Sequence, residues 1–165
     1  LGTFCDSTWG VRSVSGRCLC LNHQLVAFGS RKQGAAAQSS CEAEYYAAST
    51  SVAESIHLAE VCDEIAGQVG VRVLDRGSEP AAQWPGLVAV ALTLYMDSDS
   101  ARSLVTRFGV MKTKHVASKM LWLQELTSRS LLRVRRVGTL DNMSDILTKF
   151  VTRKVRESLV PYLLD

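Results

Sequence analysis

Residues 87 to 97 read "LVAVALTLYMD", a near-continuous apolar run closed by a carboxylate. Such a run predicts a strand buried on both faces of a sheet. A carboxylate at the carboxyl end of that strand sits where open α/β sheets place their ligands. Asp97 is therefore the first candidate site residue, and the rest of the chain has to supply the sheet around it.

Upstream, residues 1–6, 16–21 and 24–30 are short apolar-rich runs separated by turn-formers, among them Gly10, Ser13, Ser15, Gly16 and the Asn22-His23 pair. Three hairpin-linked strands are the economical reading. Over residues 40–69 the period changes: Tyr45, Ala48, Val52, Ile56, Ala59 and Ala66 recur at helical spacing, with Glu54, Glu60 and Glu64 largely off that stripe. This predicts the longest helix. Residues 70–86, with "DRGSEPAAQWPG", read as an exposed loop in which Trp84 is a local packing anchor. Downstream, helices are expected over 99–107 and 115–129, a strand over 131–137 ("LLRVRRV"), and closing helices over 142–149 and 152–164. The order β-β-β-α-β-α-β-α implies an α/β fold with a mixed sheet whose later strands cross over through helices.

A chain of 165 residues, 47% hydrophobic, suits one globular domain over 1–165. It opens "LGTFCD", without an initiator methionine and with a strand-like pattern under way, so a piece of a longer polypeptide is expected. No apolar run approaches the roughly 18 to 20 residues that span a bilayer, and no signal sequence opens the chain, so no membrane partner is expected. Cys5, Cys18, Cys20, Cys41 and Cys62 lack C-x-x-C spacing and read as reduced, mostly buried thiols. Charge is uneven: residues 111–156 hold 11 Lys/Arg against 3 Asp/Glu, and the remainder holds 8 against 13. That asymmetry points to a polyanion such as nucleic acid.

"SSCEAEYYAAST", residues 39–50, places two glutamates where the long helix begins. Helical residues turn by about 100° each, so Glu42 and Glu44 project from opposite flanks and cannot share one task. Ser39-x-x-Glu42 has capping-box spacing, which gives Glu42 a structural role and leaves Glu44 for chemistry. Asp6 ends the first strand and Asp145 opens "SDILTK". The plain alternative is turn chemistry for Asp6 and Asp97, and helix capping for Asp145; Asp99 and Asp141 are left with that plain role. Several carboxylates converging on one cleft repel one another unless a divalent cation or a shared proton neutralises them. Oxygen-only ligands suit Mg²⁺ or Mn²⁺, and two such ions about 4 Å apart can clamp the attacking and leaving oxygens of a phosphoryl displacement. An acidic metal cleft beside a basic third is what hydrolysis of a nucleic-acid backbone requires.

These residues resemble the ribonuclease H domain at the end of the polyprotein of copia-type retrotransposons. The matching blocks are "CDSTWG" (5–10) with "RSVSG" (12–16), "SRKQ" (30–33), "SSCEAEYYAAS" (39–49), "LYMDSDSA" (94–101), "KTKHV" (112–116) and "SDILTK" (144–149), in family order over nearly the whole chain. The resemblance implies a ribonuclease H-like fold, a five-stranded mixed sheet flanked by helices on both faces. It also implies a catalytic, metal-holding set at Asp6, Glu44, Asp97 and Asp145 with two Mg²⁺ or Mn²⁺ ions. The implied substrate is the RNA strand of an RNA:DNA hybrid, cut to leave a 3′-hydroxyl and a 5′-phosphate. Asp6 and Asp97 are expected to be shared by both ions, with Glu44 on the leaving-group side and Asp145 on the side of the nucleophile. Selectivity for RNA has to come from contacts to 2′-hydroxyls. Ser7, Thr8, Ser39 and Ser40 are the candidate donors, and Lys112, Lys114, His115 and Lys149 the other candidate nucleic-acid contacts. The partners implied are the hybrid and an upstream reverse transcriptase domain of the same polyprotein, in cytoplasmic retrotransposon particles and then the nucleus.

The chain also departs from the family pattern. Thr8 stands where a second aspartate is common, Asp99 replaces a polar amide and adds negative charge near the site, and Phe150 follows "TK" where proline is commoner. Cellular ribonucleases H carry a mobile histidine before the last aspartate, and "VGTLDNMSD" has none. His57 reads as a packing or surface residue and His23 as a turn residue. The competing reading is a nucleic-acid-binding or structural remnant of a reverse transcriptase polyprotein that no longer cuts. An integrase or transposase fits less well, because those sites resemble an Asp-Asp-Glu order along the chain and the order here is Asp, Glu, Asp, Asp.

Overall fold

The computed structural model describes residues 1–68, 90–107 and 117–161. Three antiparallel strands come first: β1 (Gly2–Thr8), β2 (Val14–Leu21) and β3 (Gln24–Lys32). The long helix α1 (Ser40–Gln68) follows, and β4 (Leu92–Met96) then pairs with β1 in parallel. Helices α2 (Asp99–Thr106) and α3 (Ala117–Ser128) lead to β5 (Leu132–Arg136), parallel to β4, and α4 spans Arg153–Leu159. The five-stranded sheet has the order β3-β2-β1-β4-β5. The expected α/β architecture with a mixed sheet is therefore present, and helices do lie on both faces. On one face α1, α2 and α3 bury Tyr45, Val52, Ala101, Val105 and Leu123 against Cys5, Leu94 and Met96. On the other, Leu159 of α4 and Met143 cover Cys18 and Cys20.

The long helix forms where the apolar stripe predicted it. Tyr45, Ala48, Val52 and Ala59 have no exposed surface, while Glu54 at the side of the stripe pairs with Arg17 of β2. Its start follows the capping argument with one shift. Ser39 Oγ accepts the Glu42 N–H at 3.2 Å, but the Glu42 carboxylate reaches one residue further back than a capping box requires, to the Gln38 N–H at 2.8 Å. Tyr46 Oη donates to its other oxygen at 2.8 Å.

Some expectations need correcting. Ser15 and Gly16 lie inside β2, not in a turn, because the register pairs them with Ser7 and Asp6. The Asn22-His23 pair does form the two-residue turn, with φ of 51° and 71°. β1 is the middle strand, and the strand expected to be buried on both faces, β4, buries only one completely: Leu92, Leu94 and Met96 are buried, whereas Thr93 and Tyr95 are half-buried. The helix expected over 142–149 is instead a pair of 3₁₀ turns, Thr139–Asp141 and Met143–Leu147. Asn142 separates them, in an extended conformation with its side chain accepting the Ser144 N–H. A short amide side chain that bonds its own neighbourhood competes with helix formation. The 70–86 loop, Trp84, residues 87–89 of the apolar run and the basic block Lys112, Lys114 and His115 lie outside the described residues. Among the described residues no helix is long and apolar enough to cross a membrane. All five cysteines are free thiols, and Cys5, Cys18 and Cys20 are buried.

Candidate metal centre

The parallel pairing of β1 and β4 sets their carboxyl ends side by side, which brings Asp6 near the end of β1 next to Asp97 just past β4. Strand alternation turns Cys5 into the core beneath α1 and Asp6 to the opposite face. Glu44, in the second turn of α1, completes the group. One ligand atom each from Asp6, Glu44 and Asp97 all lie within 4.8 Å of one another. Glu44 is tied to the strand as well, its Oε1 accepting the Ser7 N–H at 3.3 Å. Glu42 and Glu44 thus divide as the helical geometry requires, one closing the helix start and one entering the acidic cleft.

The fourth acid arrives by irregular backbone. Asp145 lies in the Met143–Leu147 turn, only 4% exposed, and this segment is seated on the sheet by side chains. Asn142 Nδ2 donates to the Cys5 carbonyl at 3.1 Å, while Asn142 Oδ1 accepts from the Ser144 hydroxyl at 2.6 Å. Thr148 donates its hydroxyl to Asp6 Oδ2. The close approach depends on Gly16, where a Cβ would stand 2.6 Å from Thr148 Cγ2 and 2.9 Å from the Ser144 carbonyl. Lys149 Nζ lies 3.0 Å from Asp145 Oδ2 and 3.5 Å from Asp6 Oδ1. Asp145 is therefore joined to Asp6 through Lys149 instead of entering the three-acid group directly.

The electrostatics follow from crowding. Burial, reinforced by Asp6 and Asp97, pushes the Glu44 carboxyl up to about 8 against the opposing pull of the Ser7 N–H and Lys149. Burial and Asp6 push Asp145 up to about 6, and burial followed by Asp6 also raises Asp97. Burial works to lower the Lys149 ammonium, but Asp6, Asp145 and Asp97 outweigh it, so the group is raised and stays charged. Cys5 is no competing ligand. Burial, then Glu44, Asp6 and Asp97, holds its thiol well above its ordinary value, and Sγ faces the Tyr95 carbonyl at 3.9 Å.

This donor set fits a hard divalent cation. It is made of carboxylate oxygens without sulfur or imidazole, and Asp145 Oδ1 is buried with no hydrogen-bond partner among the described residues. An orphaned buried carboxylate oxygen is costly, and a cation supplies what it lacks.

The other candidate contacts stand in different settings. The Ser7 hydroxyl is buried without a hydrogen-bond partner among the described residues, and Thr8 Oγ1 accepts the Val14 N–H at 3.2 Å, closing the β1–β2 hairpin. Ser39 is the helix cap and Ser40 is exposed. Lys149 turns inward onto two of the acids. Asp99, read as extra negative charge at the site, is engaged by Arg102 at 2.7 Å and Arg136 at 3.9 Å. His57 is a surface residue, 3.9 Å from Glu60. Asn142, Thr148 and Gly16 were missed. The signal available was the Asn-Met-Ser-Asp order, an N-cap residue two positions before a serine, but nothing local marks its tertiary partners.

A mixed β3-β2-β1-β4-β5 sheet with an acidic group at the carboxyl ends of its central parallel pair defines a ribonuclease H-like fold, and solved structures agree. The N-terminal ribonuclease H domain of a Mycobacterium tuberculosis protein superposes with a TM-score of 0.56 at 12% identity, covering 97% of this chain and 95% of that one. Ribonuclease H1 of Halobacterium salinarum gives 0.55 at 17% identity, covering 88% and 92%. A ribonuclease H1 isolated from compost by a metagenomic approach gives 0.54 at 14%, covering 88% and 90%. In sequence, the chain is 27% identical over 143 residues to the retrovirus-related Pol polyprotein from transposon TNT 1-94 of Nicotiana tabacum. That alignment covers 86% of this chain and 9% of the polyprotein, which is consistent with a ribonuclease H domain of a Pol polyprotein. No family model matches the sequence.

Proposed function

We propose that this chain is a metal-dependent endoribonuclease that hydrolyses the RNA strand of RNA:DNA hybrids during reverse transcription of a copia-type retrotransposon. The observation that carries the reading is the convergence of Asp6, Glu44 and Asp97 at the ends of β1 and β4, with Asp145 held beside them. These carboxylates would hold Mg²⁺ or Mn²⁺, and the bound metal would supply charge stabilisation for a phosphoryl group and a more acidic water. The chain's own contribution is geometry. Asp6 is fixed by the Thr148 hydroxyl and Glu44 by the Ser7 N–H, so neither has to reorganise when a polyanion arrives. The exposed Arg133, Arg135 and Arg136 on the β5 edge add positive charge suited to a nucleic-acid backbone. The upstream reverse transcriptase domain and the hybrid are the partners this reading requires, and cytoplasmic particles followed by the nucleus are the location it proposes.

The competing reading is a non-cutting, hybrid-binding remnant, favoured by one feature: a lysine stands between Asp6 and Asp145. Incubation of an end-labelled RNA:DNA hybrid with Mg²⁺ or Mn²⁺, with single-stranded RNA as control, separates the two. Hybrid-dependent cutting that leaves a 3′-hydroxyl and disappears in Asp97→Asn supports the nuclease. Hybrid binding by the folded chain without cutting in either metal supports the remnant.

A further inference from the structure

Asp6 belongs to two groups of carboxylates. One comprises Asp6, Glu44 and Asp97, whose ligand atoms share a space 4.8 Å across. The other pairs Asp6 Oδ1 with Asp145 Oδ2, and the Lys149 ammonium occupies the position between them at 3.5 and 3.0 Å. The two carboxylates here are almost wholly buried, at 1% and 6% side-chain exposure, while the lysine side chain is 40% exposed. The acids are fixed and the cation has somewhere to go. A lysine is a flexible stem with a compact charge, and the exposed part of its side chain gives the ammonium a route outward to solvent. Among the described residues Asp145 keeps its second oxygen buried and unpartnered even with Lys149 in place, so the lysine satisfies the position only in part.

We propose that Lys149 is a tethered cation that fills the Asp6/Asp145 position in the metal-free protein and has to withdraw before a second divalent ion can bind there. The inference rests on the metal-dependent reading above and adds an ordering to it. The first ion enters the Asp6–Glu44–Asp97 group, which the Lys149 ammonium does not occupy, and the second competes with a covalently attached ammonium at effectively high local concentration. Lys149 is thus a positioning residue: it keeps Asp6 and Asp145 apart from each other's charge until an ion replaces it.

The test is Mn²⁺ binding by the 165-residue chain, followed by calorimetry and by electron paramagnetic resonance, in which two ions about 4 Å apart broaden each other's signal. Lys149→Met removes the charge at similar length, and Lys149→Gln, which can still donate a hydrogen bond to Asp145, guards against loss of folding. Lys149→Arg keeps a cation. Groups beside metal ligands change affinity by about 10- to 100-fold. Both neutral variants are expected to bind the second Mn²⁺ at least about tenfold tighter than the unaltered chain and to show the paired-ion signal at lower Mn²⁺, while the arginine variant does not. A merely structural lysine would weaken binding when removed, so tightening is the distinguishing direction. Normal binding of the first ion with an unchanged or weaker second ion in the neutral variants overturns the proposal and leaves the metal-dependent reading standing. Absence of any Mn²⁺ binding by chains shown to be folded overturns both.

Discussion

The two halves of the acidic cleft are built in different ways. Asp6, Glu44 and Asp97 are carried by two paired strands and a 29-residue helix, whose apolar faces form the main core. Asp145 is carried by a 3₁₀ turn seated through Asn142, Thr148 and the absent side chain of Gly16. The first half inherits its precision from regular structure, which many residues determine together. The second depends on a few side-chain bonds, so single substitutions there should disturb it more than equally small ones in α1.

The largest expected effect belongs to the regular half, because its three acids form the group proposed to take the first ion. Asp97→Asn is expected to lower hybrid cleavage by more than about 100-fold, beyond the range seen for neighbours of metal ligands, while the melting temperature of the metal-free protein stays the same or rises. A cleavage assay beside a thermal melt checks both.

The next effect is pH dependence without metal. Glu44, at about 8 folded against an ordinary 4.5, and Asp145, at about 6 against 3.8, hold protons in the folded state that the unfolded chain has released. Stability should therefore fall as pH climbs from about 4 to about 8, the direction opposite to that of a salt-bridged carboxylate. Added Mn²⁺ should restore it most at the alkaline end. A flat melting temperature over that window would mean the acids are not crowded as described.

The irregular half is tested by Asn142→Ala and Gly16→Ala. The first leaves the buried Cys5 carbonyl and the Ser144 hydroxyl without their partner, and is expected to cost about 1–3 kcal/mol in denaturant unfolding. The second forces a methyl group against Thr148 and the Ser144 carbonyl, with a similar expected cost of about 1–3 kcal/mol. Both should also weaken cleavage, because the turn carrying Asp145 moves. The smallest effect on stability, about 1 kcal/mol in the same denaturant unfolding, is expected for Ser39→Ala at the start of α1.

The same contrast explains what was legible in the sequence. The stripe Tyr45, Ala48, Val52 and Ala59 marks α1 because burial repeats at the helical period, and Glu44 could be told from Glu42 by angle and cap spacing alone. Asp97 was legible as a carboxylate ending an apolar strand. The 142–149 segment was not: it reads as a helix, but the conformation is decided by bonds to Cys5 and Asp6, more than a hundred residues away in sequence. The inward turn of Lys149 was hidden for the same reason, since a lysine within the basic 111–156 stretch reads as a phosphate contact until its tertiary neighbours are known. Likewise, Asp99 carries less weight than its charge suggested, because Arg136 of β5 approaches it only in the fold.

The measurement that bears most directly on the central claim is the position of a bound ion. A crystal of this chain grown with Mn²⁺ and recorded at the manganese absorption edge should show an anomalous peak coordinated by Asp6, Glu44 and Asp97. A fully formed site holding no peak, or a peak held by other residues while these three remain unliganded, would contradict the account.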